Sequence, residues 1–287
     1  MFSRLLFPVE LTGNTEKMFC ALQELVTAGV KEITLLHILG RQEAERDPGM
    51  VSYAEGVLSD WRVRLERVGV PRVISMVTKG IPWVEIVEES RRKDYSVILM
   101  GSRGKGMLQQ MFLGNETENV LHYGTRPLLI IRLHIVEAID ERSCALARER
   151  LFQHVLYATD FSEDAKKCIP YLESMARASP ERVTIVHIQD LRSLGYATEA
   201  QMAAFNLRDT ERLEGLKRQF NALGCRHVNT ILRTGNAITE LLRIIHEEGV
   251  TLLVMGAKGR TNVPAMTLGG VSETLIRRAD CHVLVVR

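Results

Sequence analysis

His154-Val155-Leu156-Tyr157-Ala158-Thr159-Asp160-Phe161-Ser162 begins as an apolar, β-prone run and ends on residues suited to start a helix. Working outward, the same pattern stands 150 residues earlier as Arg4-Leu5-Leu6-Phe7-Pro8-Val9-Glu10. Ile33-Thr34-Leu35-Leu36-His37-Ile38 and Val183-Thr184-Ile185-Val186-His187-Ile188 keep that offset, so no gap intervenes. Later segments match at an offset of 155. There Lys79-Gly80-Ile81-Pro82 faces Thr234-Gly235-Asn236-Ala237, and Ser96–Gly101 faces Thr251–Gly256. Leu128–Arg132 closes the first copy as Val283–Arg287 closes the second. The chain is a duplicated domain. The few inserted residues fall between the second and fourth strands, where loop length costs little.

Within the second copy, short apolar runs alternate with segments of helical period. The reading is strand 154–159, helix 163–178, strand 182–188, helix 198–223, strand 228–233, helix 236–248, strand 251–255, helix 271–278 and strand 282–286. Runs apolar on both faces imply strands covered on both sides, as in a parallel sheet between helix layers. Alternating β and α order with right-handed crossovers predicts an α/β fold: an open, doubly wound, five-stranded parallel sheet, present twice. Ser162 is a candidate N-cap. The expected division is domain 1 over 1–132, a linker over 133–152 and domain 2 over 153–287. The linker mixes Ile135, Val136, Ile139 and Leu146 with charged residues, which suits a short amphipathic helix, a packed linker or an irregular tether.

Bulk properties narrow the function. The net charge is +2 with 25% charged residues, which gives no electrostatic reason to expect nucleic acid as a partner. No apolar run is long enough to span a membrane, and the start lacks the pattern of a secretory signal. Five scattered cysteines without a CxxC pair read as reduced residues of a cytoplasmic protein, not as a disulfide framework or metal site.

The chemistry concentrates after the fourth strand of each copy. The second copy reads Gly256-Ala257-Lys258-Gly259, nine residues, then Gly269-Gly270-Val271-Ser272. The first reads Gly101-Ser102-Arg103-Gly104, nine residues, then Gly114-Asn115-Glu116-Thr117. Glycine lets the backbone turn sharply and approach a ligand without a Cβ in the way. The later glycine precedes a helix, whose free amides and dipole suit a phosphate. Neither a Walker A loop nor GxGxxG is present. One GxxG is common in α/β proteins; the same GxxG-x9-G spacing twice, each time after Met-Gly, is far more specific.

The strand ending in Asp160-Phe161-Ser162, the second strand ending in His-Ile (His187-Ile188 and His37-Ile38) and the repeated GxxG-x9-G resemble the universal stress protein family, over nearly the whole chain except the linker. That resemblance implies a Rossmann-like, adenine nucleotide alpha hydrolase-like sheet with AMP or ATP (the latter with or without Mg) at the strand ends. It places Thr159 and Asp160, with Val9 and Glu10 in the first copy, near base and ribose, and Ile188 and Ile38 beside the adenine. Met255, Gly256, Gly259, Gly269, Gly270, Val271 and Ser272 would line ribose and phosphates. Met100, Gly101, Gly104, Gly114, Asn115 and Thr117 would do so in the first copy. Two departures stand out. The family usually has Ser or Thr after the last glycine, where this chain has Asn115 and Gly270. Glu10 replaces Asp, and Glu116 sits beside the expected phosphate, where it would repel it. The phosphate tail is therefore expected to be short or absent in the first copy.

The resemblance further implies pairing of the last strands, so the tandem chain would form its own pseudo-dimer, with a homodimer of chains as a further possibility and an unidentified protein as downstream partner. A nucleotide-binding, stress-response regulator is the leading expectation. A slow ATPase or phosphoryl-transfer enzyme is the alternative, with no dedicated base in evidence, and a nucleotide-free interaction module is another. His37 and His187 read as satisfied core residues, Trp61 and Trp83 as packing residues. Arg103 and Lys258 read as phosphate cations or as solvated loop charges. Met202, Phe205, Leu213, Leu216 and Phe220 read as a helix face.

Overall fold

Strands that are buried along their whole length fix the architecture. In the computed structural model, which describes residues 2–11, 13–16, 18–102, 113–133, 150–190, 198–259 and 268–287, Leu156, Leu252, Leu253 and Val254 have no exposed surface. Burying an aliphatic side chain of this size contributes about 1.5–3 kcal/mol, so such runs belong in the middle of a sheet.

The chain divides into two compact units, Met1–Arg148 and Glu149–Arg287. Unit 1 contains β1 (Arg4–Pro8), β2 (Glu32–Leu39), β3 (Arg72–Lys79), β4 (Val97–Gly101) and β5 (Leu128–Ile131), ordered β3-β2-β1-β4-β5. Unit 2 repeats the order as β8-β7-β6-β9-β10, from β6 (His154–Ala158), β7 (Arg182–Asp190), β8 (Val228–Gly235), β9 (Leu252–Gly256) and β10 (His282–Val286). These pairings are parallel, with Phe7 opposite Leu35 and Tyr157 opposite Ile185. In both units the chain runs outward from the first strand and then returns to its other side. That reversal opens a crevice between the first and fourth strands, at their carboxyl ends.

The longer helices of unit 1 are α1 (Phe19–Thr27), α2 (Gly49–Arg67), α3 (Pro82–Arg92) and α4 (Asn115–Tyr123). Their counterparts in unit 2 are α5 (Ile169–Ala176), α6 (Glu199–Ala222), α7 (Ala237–Glu247) and α8 (Gly270–Arg278). On α7, Leu241, Ile244 and Ile245 form the buried stripe that a helical period requires. A capping box between Thr198 and Gln201 starts α6, and Gly224 follows its end at φ 91°, a conformation that glycine adopts without strain. The single helix expected over 163–178 is instead two, a short turn Glu163–Lys166 and then α5. Pro170 explains the break: it lacks an N–H and its ring crowds the carbonyl four residues back. Leu213 and Phe220 are buried as expected for the inner face of α6. Trp61 is a packing residue, edge-on to Phe7 and Phe19. Leu151 and Phe152, read as the end of the linker, are buried, whereas residues 134–149 lie outside the described residues. No helix among the described residues is long and apolar enough to cross a membrane.

One buried threonine occupies the same place in both sheets but takes different partners. In unit 1 Thr34 Oγ1 lies 3.1 Å from the hydroxyl of Tyr95, which donates to Glu89 Oε1 at 2.8 Å. In unit 2 Thr184 Oγ1 lies 2.8 Å from Nε2 of His154, whose Nδ1 donates to the carbonyl of Glu248 at 3.0 Å. Burial pushes the Tyr95 phenol well above its usual range and holds His154 below its ordinary 6.5.

Candidate functional site

The end of β6 is shaped by three local hydrogen bonds. Thr159 Oγ1 accepts from the Phe161 amide and Asp160 Oδ1 from the Ser162 amide, both at 3.0 Å. Ser162 Oγ then accepts from Ala165 N at 3.2 Å, the N-cap read from the sequence. The turn forces Phe161 to φ 60°, and its ring centroid lies 4.7 Å from that of His187. A left-handed non-glycine residue costs about 1 kcal/mol, offset here by the capped turn and the ring contact.

Two glycines bring the facing loop close. A Cβ on Gly256 would sit 3.0 Å from the backbone of Asp164, and one on Gly259 would lie 2.7 Å from Asp160 Oδ2. Between these elements opens a cavity of about 730 Å³, within the range of roughly 300–1,000 Å³ typical of small-molecule sites. Thr159, Asp160 and Ile188 line it from β6 and β7; Met255, Gly256 and Gly259 from the β9 turn; and Gly269, Val271 and Ser272 from the start of α8. Gly270 does not line it, and a Cβ there would meet nothing within 4 Å. No side chain caps α8, so its first-turn amides are left for another acceptor. Ser272 is turned inward: its hydroxyl donates to the Gly256 carbonyl at 2.9 Å, clipping α8 to the end of β9. Lys258 and Arg208 bring positive charge to the lining.

A second wall, which the sequence reading missed, comes from α6. Asp209 is 2% exposed. Its Oδ2 accepts from Gln189 Nε2 at 3.1 Å and lies 3.6 Å from His187 Nε2. Its Oδ1 lies 3.4 Å from Arg208 Nε and 3.6 Å from Arg212. Thr234 extends the chain by donating to Gln189 Oε1 at 3.2 Å. His187 Nδ1 donates to the Thr159 carbonyl at 2.7 Å, so this histidine is a buried structural residue, as expected, but one paired with a carboxylate that no sequence spacing announced.

Unit 1 has the same crevice, about 490 Å³ in volume. Val9, Glu10, Ile38, Met100, Gly101, Gly114, Asn115 and Thr117 all line it; Gly104 and Arg103 lie outside the described residues. His37 repeats the backbone bond, to Val9 O at 2.8 Å, and Thr117 repeats the clip, to Gly101 O at 3.0 Å. Three things differ. Ala54 replaces Asp209 and Leu39 replaces Gln189, so the α2 wall is apolar, with Met50 and Tyr53 at the cavity. Leu133, just after β5, leans over Gly101: a Cβ on that glycine would come 2.9 Å from Leu133 Cδ1. Glu116 Oε2 accepts from Trp83 N at 2.8 Å, so a first-turn residue of α4 caps the start of α3. Trp83 itself is half-buried and stacks on Tyr123 with centroids 5.0 Å apart.

Comparison with known proteins agrees with this architecture. Over 156 residues the chain is 26% identical to Universal stress protein MJ0577 of Methanocaldococcus jannaschii, covering 48% of this chain and 96% of that protein. A crystal structure of a universal stress protein from Archaeoglobus fulgidus superposes with a TM-score of 0.74 at 27% identity, covering 100% of this chain and 99% of that one. A protein from Pseudomonas aeruginosa shares the fold, at a TM-score of 0.69 and 14% identity over 99% of this chain and 92% of that one. The model of the universal stress protein family matches twice, over residues 1–132 and 151–287, and the chain therefore belongs to that family as a tandem, two-domain member.

Proposed function

We propose that the chain is a regulatory protein of the stress response that binds an adenine nucleotide, AMP or ATP, in the unit 2 cavity. One observation carries the reading: Asp160, Gly256, Gly259 and Gly269 meet around one cavity at the carboxyl edge of the sheet, where the strand order reverses. Three features support a nucleotide there. The uncapped amides of α8 offer donors to a phosphate. Lys258 supplies charge at the same end. The opposite end, between Ile188 and Phe205, supplies apolar surface for a base. The nucleotide would act as a signal read by a protein partner, in the cytoplasm.

Calorimetric titration of the nucleotide-stripped full chain with AMP, and separately with Mg-ATP, tests the reading. Saturable binding is expected, and Gly259→Val should abolish it in unit 2 by driving a side chain into Asp160. Absence of binding to either ligand would sink the proposal.

A further inference from the structure

We propose that the unit 1 cavity takes an uncharged purine nucleoside instead of a nucleotide, because Glu116 of the chain itself stands where unit 2 is open to phosphate. This rests on the nucleotide reading of unit 2. At the position of Glu116, unit 2 has Val271, which lines its cavity without charge. Glu116 is pinned: the Trp83 amide holds its carboxylate, and that amide belongs to an N-terminus, that of α3, which starts on Pro82. A phosphate at the start of α4 would face this fixed negative charge. Glu10 is a second carboxylate of the lining, as Asp160 is at the same place in unit 2, so Glu116 is the charge that sets the two helix starts apart. In unit 2 Lys258 and Arg208 line the cavity beside Asp160, Asp190 and Asp209, and Arg103, the counterpart of Lys258, lies outside the described residues.

Volume points the same way. The unit 1 cavity is about 490 Å³ against about 730 Å³, and the Leu133 side chain lies over Gly101, where Gly256 of unit 2 faces the Asp164 backbone. Yet the base end is retained and is more apolar, with Ile38, Met50 and Tyr53. A flat, neutral heterocycle with a ribose fits that lining, and a phosphate tail does not.

Both tryptophans, Trp61 and Trp83, belong to unit 1, so a label on tryptophan reports that unit alone. The full chain carrying 5-fluorotryptophan would be titrated with adenosine and with AMP by fluorine NMR, with calorimetry of the same samples recording unit 2. Adenosine should shift the Trp83 resonance saturably, and AMP should require a concentration about tenfold higher or more. Glu116→Gln keeps an acceptor for the Trp83 amide while removing the charge, and should bring AMP close to adenosine. Val271→Glu should weaken AMP but not adenosine in unit 2. AMP matching adenosine at Trp83 in the unaltered chain would overturn the inference. So would a Trp83 resonance that never moves while unit 2 binds. Loss of binding at both units would instead remove the nucleotide reading on which the inference rests.

Discussion

The α6 wall of unit 2 is polar and the α2 wall of unit 1 is apolar, although both pack beside the same histidine on the same strand. Asp209, Gln189 and Thr234 form a hydrogen-bonded chain where unit 1 has Ala54, Leu39 and Lys79. The difference teaches which parts of the fold are dictated by the backbone and which are free to diverge. The histidine-to-carbonyl bonds, the hydroxyl clips and the crevice glycines recur because each closes a main-chain gap at a strand end. The wall diverges as a set, since a buried carboxylate without its partners is more costly than an apolar wall.

Several substitutions and a change of pH would break or sharpen the contrast. The largest effect is expected for Ala54→Asp, which places a carboxylate at a fully buried site without the partners that Asp209 has. Unit 1 should lose about 3–5 kcal/mol, read by urea denaturation followed through tryptophan fluorescence. Next, Gly256→Val drives a side chain into the Asp164 backbone and should cost about 3 kcal/mol. Gly101→Val meets only the movable side chain of Leu133 and should cost nearer 1 kcal/mol. Equal losses for the two in paired thermal melts would mean that the crevices are built alike. Asp209→Ala should then remove about 2 kcal/mol from unit 2 by leaving the buried Gln189 amide group without its acceptor. Circular dichroism would detect the loss as earlier unfolding of unit 2, with the tryptophan signal of unit 1 unmoved.

The smallest effect is a divergence in pH response. His154 is held below 6.5, so the unfolded chain takes up a proton first as the pH falls. Its contribution is therefore present above about 6.5 and declines below it. Tyr95, raised above its ordinary 10, does the reverse: its contribution is complete below 10 and is lost as the pH rises beyond it. Unit 2 should weaken in mild acid by about 1 kcal/mol per unit pH, whereas alkali should weaken both units, since burial raises Tyr157 of unit 2 as it raises Tyr95. His154→Gln should flatten the acid limb; an unchanged slope would show that another group carries it.

Much of this was legible in the sequence because it lies in local patterns. The repeat, the doubly apolar strands and the spaced glycines announced the sheet and the edge at which the crevice lies. Pro170 also carried the signal that splits the helix after β6, although helical periodicity masked it. Three features were not legible because they join residues distant in the chain. Asp209 meets Gln189 from 20 residues away, on a helix whose polar positions otherwise face water. Glu116 reaches an amide 33 residues back. Leu133 stands in what reads as a linker, and only the fold sets it over Gly101. Gly270 shows the opposite limit: it fits the motif by spacing, yet it lies outside the cavity because the helix turns it outward.

The two buried threonines bear on how a chain that contains the same domain twice folds without confusing its halves. A nascent strand that entered the wrong sheet would find the right backbone register and the wrong polar partner. β1 in place of β6 would bring Arg4 toward Thr184, where a neutral imidazole belongs. β6 in place of β1 would put His154 beside a threonine already claimed by Tyr95. Each sheet thus carries a lock that fits its own first strand, and the exchange of strands between repeats, a common route to misassembly in tandem proteins, meets a penalty inside the core.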